Sequence, residues 1–190
     1  MVQGKWAQSA VVRGAALRGL EGIAPRVKRL RRHYGVVLGK PFRKGVDPEH
    51  LSFINSWNNK KKCDNTMCWF ISKGDEITKD TFRRFSSCIG YTPGLEVKLR
   101  YRLYACALAD PPYYSFDDGV EHVGDIEAIL SRDHQFGQDT QERYNAKLKR
   151  SVHQLSIQNE VVLGNKGDNL TFRSLIDSKE VSNSVIRFDH

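Results

Sequence analysis

Residues 139–158 read DTQERYNAKLKRSVHQLSIQ, and the predicted fold class depends on this segment. It begins with a capping-box pattern, an aspartate followed three residues later by a glutamate, as at the first turn of many helices. The apolar residues behind it recur at i, i+4, i+8 and i+11, and they are Tyr144, Leu148, Val152 and Leu155. This spacing predicts an amphipathic helix over about 140–158, with Arg143, Lys147 and Arg150 outside its apolar stripe.

Neighbouring segments give the same indication. Asp118–Glu121 repeats the capping-box pattern, and an apolar stripe follows it at Val120, Val123, Ile126, Ile129 and Leu130. That stripe predicts a helix over about 119–131. Asp168 could cap a third short helix, and residues 77–89 place four apolar side chains at roughly helical spacing. We therefore expect a mostly α fold with a helical C-terminal half.

A minor β contribution is expected in the middle of the chain. Residues 95–103 read LEVKLRYRL, in which apolar and charged side chains alternate strictly. Period two favours a half-buried strand, although the leucines at 95, 99 and 103 are also compatible with a helix. The short apolar run 36–38 between two glycines predicts a brief strand. We divide the chain into a basic extension (1–45), a mixed α/β region (46–110) and a helical domain (111–190).

The charge of the chain is concentrated at its start. The 190 residues carry a formal net charge of +8, but residues 1–45 alone carry +10 and the remainder carries −2. An Arg-rich, acid-poor beginning is typical of a mitochondrial transit peptide. The longest stretch without a formal charge has eleven residues, 85–95, which is too short to span a bilayer. We expect a mitochondrial protein without a transmembrane span.

The sequence contains no recognisable catalytic motif. The six histidines do not form an HExxH pattern, and the P-loop, the nucleophile elbow and the dinucleotide-binding fingerprint are absent. We therefore expect a protein that is not an enzyme and that uses no cofactor. Cys63 and Cys68 could supply half of a zinc site, but Cys88 and Cys106 are too far apart to supply the other half. We expect no metal site and four thiols in a reducing compartment.

Two basic clusters are candidates for nucleic-acid binding. Lys60–Lys62 lies between Trp57 and the Trp69–Phe70 pair, and an Arg-rich segment precedes it. Cations beside aromatic rings suit RNA phosphates and stacked bases. The chain has no RNP, KH or zinc-knuckle pattern. The predicted basic patch consists of Arg26, Lys28, Arg29, Arg31, Arg32, Lys60, Lys61 and Lys62.

From about Tyr101 onward the order of features resembles a family of small mitochondrial proteins. An acidic-aromatic segment (110–118), an E-A-I sequence (Ile126–Ile129) and a basic segment (Arg143–Val152) follow one another. This order is similar to that of the ubiquinol–cytochrome c reductase binding protein, the small helical subunit on the matrix side of respiratory complex III. The resemblance implies a non-catalytic scaffold on the matrix face of the inner membrane, packed against cytochrome b and the core subunits.

Two functions are therefore expected. The first is an accessory subunit of a respiratory complex, complex III by preference, that contributes to its assembly and stability. In this function Tyr144, Leu148, Val152 and Leu155 would lie at an interface, and Arg143, Lys147 and Arg150 would meet acids or anionic lipid headgroups. The alternative is a mitochondrial ribosomal protein that binds rRNA through its basic N-terminal segment. The acidic block at 110–142, with a net charge of −8, favours the first.

Overall fold

The structure is a computed structural model that describes residues 28–78, 81–91, 96–130, 141–163 and 169–187. Residues 1–27 of the predicted targeting segment, which include Arg26 of the basic patch, and the proposed helix caps Asp139 and Asp168 lie outside these residues. Within the described part of the chain there is no α-helix. The only helical element there is a single 3-10 turn at Glu49–Leu51.

The described residues form fourteen β-strands. They are β1 (Lys28–Arg29), β2 (His33–Val37), β3 (Lys40–Pro41), β4 (Ser52–Ile54), β5 (Lys61–Cys63), β6 (Met67–Ile71), β7 (Glu76–Ile77), β8 (Phe82–Tyr91), β9 (Val97–Cys106), β10 (Val120–Leu130), β11 (Gln141–Asn145), β12 (Arg150–Leu163), β13 (Asn169–Ile176) and β14 (Lys179–Arg187).

All pairings between these strands are antiparallel. The first large sheet has the order β10-β9-β2-β6. In the second large sheet, β12 is the central strand. Strand β8 pairs along one side of β12, whereas β11 and β13 pair with the two halves of its other side, and β14 pairs with β13. A small sheet has the order β3-β5-β4, and β1 pairs with β7. The small sheet lies between β2 and β6 in the sequence.

The two large sheets pack face to face around an aromatic centre. Phe70 of the first sheet stacks on Phe85 of the second, with ring centres 5.2 Å apart. Tyr101 and Phe172 both meet the Phe85 ring edge-on. Aliphatic side chains from both sheets complete this core, which buries Val36, Ile71, Leu99, Leu103, Ile126, Leu155, Ile157, Val161, Leu163, Leu170 and Ile176. Burying these side chains between two layers is the main stabilisation of the fold.

The prediction of a mostly α fold with a helical C-terminal half is wrong. Tyr144 lies on β11, Leu148 lies in the hairpin loop, and Val152 and Leu155 lie on β12. Val152 and Leu155 are three residues apart on one strand, so they face opposite sides of the sheet. From Leu155 to Leu163 every second side chain is buried, which is the period of a strand.

The predicted helix over 119–131 is strand β10, and a β-bulge explains its misleading pattern. The register with β9 shifts between His122 and Gly124, which leaves Val123 as the extra residue. A bulge changes the alternation by one position. Val123 and Ile126 therefore both contact the core although they are three residues apart, as on a helix. The helices predicted at 77–89 and after Asp168 are also replaced by strands, namely β7, β8 and β13.

The strand prediction in the middle of the chain is confirmed. Leu99, Tyr101 and Leu103 of β9 are buried, whereas Lys98, Arg100 and Arg102 are exposed. The brief strand predicted at 36–38 corresponds to the end of β2. As for membranes, the described residues contain no helix with the length and apolarity that a transmembrane crossing requires.

Candidate functional site

A buried asparagine joins two distant segments at one end of the second sheet. Asn145 ends β11 and is 2% exposed. Its side-chain nitrogen donates hydrogen bonds to the backbone carbonyl of Ser56 and to Oδ1 of Asn59, the latter over 3.3 Å. Its Oδ1 accepts from the backbone N–H groups of Lys147 and Leu148 at 3.0 and 3.1 Å. One side chain thus shapes the β11–β12 hairpin loop and holds the turn at residues 55–59 against it.

We call the contact of Asn145 with Ser56 and Asn59 the Asn145 junction. It brings together basic residues that lie in two separate clusters in the sequence. Lys60–Lys62 directly follows the docked turn, and the hairpin carries Arg143, Lys147, Lys149 and Arg150. Residues 55–62 and 141–150 together contain these seven basic side chains and one acid, Glu142. Trp57 lies between the two sets: its indole N–H donates to the Gln141 carbonyl over 3.4 Å, and the Arg143 guanidinium lies 5.9 Å from its ring centre.

The small sheet β3-β5-β4 extends this cationic region. The Lys61 ammonium lies 4.1 Å from the ring centre of Phe42 and pairs with Glu49. Lys40 and the Arg43 guanidinium both lie over the ring of Tyr113, at 4.7 and 3.9 Å from its centre. Cations in such positions are attracted by the negative face of the ring.

We call this region the basic–aromatic surface. Residues 38–66 and 141–150 carry ten Lys/Arg side chains and four acids, and two of those acids already pair with Arg43 and Lys61. These two segments therefore carry a formal net charge of +6, which favours a polyanion, while Asp110, Asp117 and Asp118 lie in the segment that contributes Tyr113. The surface consists of Lys40, Phe42, Arg43, Lys44, Trp57, Lys60, Lys61, Lys62, Tyr113, Arg143, Lys147, Lys149 and Arg150.

A buried carboxylate fixes one edge of the surface. Asp47 accepts two hydrogen bonds from the Arg43 side chain, at 2.6 and 3.0 Å, and one from the Arg43 backbone N–H at 2.6 Å. The Tyr114 hydroxyl donates to the same carboxylate over 2.8 Å. These contacts, above all those of the Arg43 side chain, lower the pKa of Asp47 to about 2. Burial raises the pKa of the Tyr114 hydroxyl. We call Arg43, Asp47 and Tyr114 the clasp.

The predicted interface residues do not lie together. Val152 and Leu155 are buried, while Tyr144 and Leu148 are 63% and 44% exposed. Arg143 shares a face of the hairpin with Val152, whereas Tyr144 lies on the opposite face beside Ser151. The contiguous apolar stripe expected from helical spacing is therefore absent.

The predicted basic patch is also divided. Lys60, Lys61 and Lys62 belong to the basic–aromatic surface. Arg29 and Arg32 instead form ion pairs with Glu76 and Glu121, each at 2.7 Å. Lys28 begins the β1–β7 pair, and Arg31 is exposed.

Sequence reasoning missed several members of the site, among them Asn145, Lys40, Arg43 and Tyr113. Asn145 precedes a hairpin loop, and asparagine at the start of a turn commonly accepts hydrogen bonds from the residues that follow. That local signal was present but was overridden by the helical pattern. The roles of Lys40, Arg43 and Tyr113 depend on contacts between residues about 70 positions apart, for which the sequence offers no local pattern.

The cysteines show no sign of forming a metal centre in the described part of the chain. Cys63 is buried on β5, and Cys68 is half-buried on β6. Burial raises the pKa of both thiols, which disfavours the thiolate that binds zinc. The described residues contain no group of three or more histidine, cysteine or acidic side chains placed to hold a metal ion.

Comparisons with protein-family models, with curated proteins and with solved structures find no match to this chain. The site must therefore be interpreted from its own geometry.

Proposed function

We propose that this protein is a non-catalytic RNA-binding protein that contacts phosphates through the basic–aromatic surface. The transit-peptide-like start favours mitochondrial ribosomal RNA as the ligand. The observation that carries the proposal is the Asn145 junction, since it holds two cationic segments together that are more than 80 residues apart in the sequence. Among the described residues, Arg43 and Lys61 are the only cations of this surface that form ion pairs.

The physical basis is counterion release. A cation that neutralises an RNA phosphate releases a condensed counterion, so the affinity falls as salt rises. The slope of log affinity against log salt is about −0.7 per contact for a single strand. The number of cations that contact RNA can therefore be measured without a structure of the complex.

The test uses the full-length protein and a fluorescently labelled RNA of about 20 nucleotides, with binding followed by polarisation at several salt concentrations. Lys60→Glu combined with Lys147→Glu is expected to weaken binding and to reduce the slope by about 1.4, which is two contacts at about 0.7 each. The matched control is Lys98→Glu combined with Lys179→Glu, the same charge change at exposed positions outside the surface. Equal losses in both variants, or no RNA binding by the wild type, would refute the proposal.

An accessory subunit of complex III, on the matrix side of the inner membrane, is the second candidate. The exposed apolar side chains of Tyr144 and Leu148 favour it, because a partner could cover them. It ranks second because the helix that was to form its interface is a β-hairpin. Co-migration of this chain with cytochrome b on native gels, unaffected by nuclease, would reverse the order.

A further inference from the structure

Beside the basic–aromatic surface an exposed phenylalanine is stacked on a tyrosine. The rings of Phe116 and Tyr114 are nearly parallel, with an interplanar angle of 14° and centres 5.2 Å apart. Phe116 is nevertheless 58% exposed. One face of its ring covers Tyr114, so most of the exposed area belongs to the other face and to the edge. An exposed aromatic ring face of this kind offers a stacking surface for a nucleic-acid base.

Tyr114, on whose ring Phe116 stacks, is fixed in place by several hydrogen bonds. The Tyr114 hydroxyl donates to the buried Asp47 carboxylate, and the Tyr114 backbone N–H donates to Asp117 over 3.0 Å. Tyr114 also forms an isolated β-bridge with Thr66, and the N–H of Ser115 donates to the Asn65 carbonyl over 2.9 Å. Because the support is fixed before any ligand arrives, little conformational entropy is lost when a ligand stacks on Phe116.

The stack adjoins the cations of the basic–aromatic surface. Tyr113 meets the Tyr114 ring edge-on, with centres 5.0 Å apart, and its own ring carries Lys40 and Arg43. Arg43 is also the cation of the clasp that holds Tyr114. The Tyr114–Phe116 stack and the cations Lys40 and Arg43, about 70 residues apart in the sequence, are thus brought together on either side of the Tyr113 ring.

We propose that the Tyr114–Phe116 stack is a platform for an unpaired base, and that the RNA bound at this surface is therefore single-stranded. The inference rests on the proposed function and specifies its ligand. In a duplex both faces of each internal base are covered by neighbouring bases, so Phe116 has no base to stack on. In a single strand a base can lie on Phe116 while the adjacent phosphates meet Lys40 and Arg43.

The experiment compares a single-stranded RNA with a blunt duplex of equal length, using wild type, Phe116→Ala and Phe116→Trp in the full-length protein. Phe116→Ala is expected to weaken single-strand binding by about 5- to 100-fold, the usual effect of losing one base–aromatic stack, and to leave duplex binding unchanged. Phe116→Trp is expected to restore single-strand binding. Val46→Ala is the matched control, because Val46 is 65% exposed and adjoins the clasp without being aromatic.

A second measurement reports the stacking itself. An RNA that contains the fluorescent base 2-aminopurine is expected to be quenched on binding to wild type and to Phe116→Trp, but much less on binding to Phe116→Ala. If Phe116→Ala weakens single-strand and duplex binding equally, or leaves both unchanged, the platform is refuted while the charge-reversal result still supports RNA binding. If the lysine variants also bind normally, the proposed function itself fails.

Discussion

The side-chain amide of Asn145 donates a hydrogen bond to the backbone carbonyl of Ser56, 89 residues earlier in the sequence. Because Asn145 also caps the hairpin loop through its oxygen, both ends of its side chain are used. All four of its hydrogen bonds are made in a buried position, where leaving one unmade is costly. The arrangement of cations on the basic–aromatic surface therefore depends on a residue that is not itself charged.

Replacing Asn145 by aspartate keeps the side-chain oxygen that accepts hydrogen bonds in the hairpin loop and removes the side-chain nitrogen that donates to Ser56. The aspartate keeps an oxygen that can accept from Lys147 and Leu148, but its second oxygen replaces the amide donor and faces the Ser56 carbonyl. We expect the free energy of unfolding to fall by about 1–3 kcal/mol, as measured by urea denaturation. RNA affinity and the salt slope are expected to fall as well, because the hydrogen bond that joins the two cationic segments is lost and because the aspartate adds a negative charge beside them. An unchanged salt slope in a folded Asn145→Asp variant would show that the two cationic segments act independently.

Lys149 provides a test of strain at the site. It adopts φ = 52° in the hairpin loop, a conformation that costs a side chain with a Cβ about 1–2 kcal/mol relative to glycine. Lys149→Gly is therefore expected to stabilise the protein by up to about 1 kcal/mol while weakening RNA binding through the lost cation. Lys147→Gly removes the same charge at a position without positive φ, so it is expected to lower stability. Equal changes in thermal unfolding for the two variants would contradict this account.

Strand β9 was predictable because its two-residue period is stronger than the four-residue spacing of Leu95, Leu99 and Leu103. From Val97 to Leu103 its apolar and charged residues alternate without interruption, and the register shift against β10 lies in β10. In β10 the bulge at Val123 converts a two-residue period into an apparent helical spacing. Around β11 and β12 the apolar residues that suggested one helical stripe belong to a strand, a loop and the two faces of a second strand. Hydrophobic periodicity cannot distinguish these cases until the partner strand is known.

The candidate site was predictable only in its parts. Lys60–Lys62 was identified from three consecutive cations beside tryptophans, and Arg143, Lys147 and Arg150 were identified as an exposed basic set. What joins the two sets is a side-chain hydrogen bond between Asn145 and Ser56. Pairing of this kind depends on the whole antiparallel sheet, because β12 must first be placed against β8 and β11. The sequence contains no local pattern that encodes such a contact.

A polar network inside the core gives a stability prediction that is independent of function. The hydroxyl groups of Ser87 and Tyr101 lie 2.6 Å apart, and Asn159 contacts both at 3.4 Å. Asn159 also accepts a hydrogen bond from Ser174 over 2.9 Å. These residues come from four strands of both sheets, so the network fixes how the sheets face each other.

Tyr101→Phe removes one hydroxyl from this network and leaves the ring packing intact. We expect a loss of about 1–2 kcal/mol in the free energy of unfolding, because Ser87 loses its short buried partner. Tyr104→Phe is the matched control: Tyr104 is also buried on β9, but its hydroxyl forms no hydrogen bond to another described residue. Similar losses in both variants, measured by chemical denaturation, would mean that the network contributes nothing specific.

The clasp predicts a pH dependence of stability. The pKa of Asp47 is lowered from about 4, the ordinary value for an aspartic acid, to about 2, chiefly by the hydrogen bonds from the Arg43 side chain. A carboxyl whose pKa is lower in the folded than in the unfolded state binds protons more weakly when folded. Its stabilising contribution is therefore complete above about pH 4 and is lost as the pH falls toward about 2.

Asp47→Asn isolates this contribution, because asparagine has the same shape and no charge. The variant is expected to be less stable than wild type at pH 7, where Arg43 loses its ionic partner, and the difference is expected to shrink between about pH 4 and pH 2. The control is Asp118→Asn, the same charge change at an exposed carboxylate that forms no ion pair with another described residue. Because other carboxyl groups also titrate in this range, including Asp125 beside Arg100, the comparison uses the difference between variant and wild type at each pH. A constant difference from pH 7 to pH 2 would mean that Asp47 stabilises the clasp through shape and not through charge.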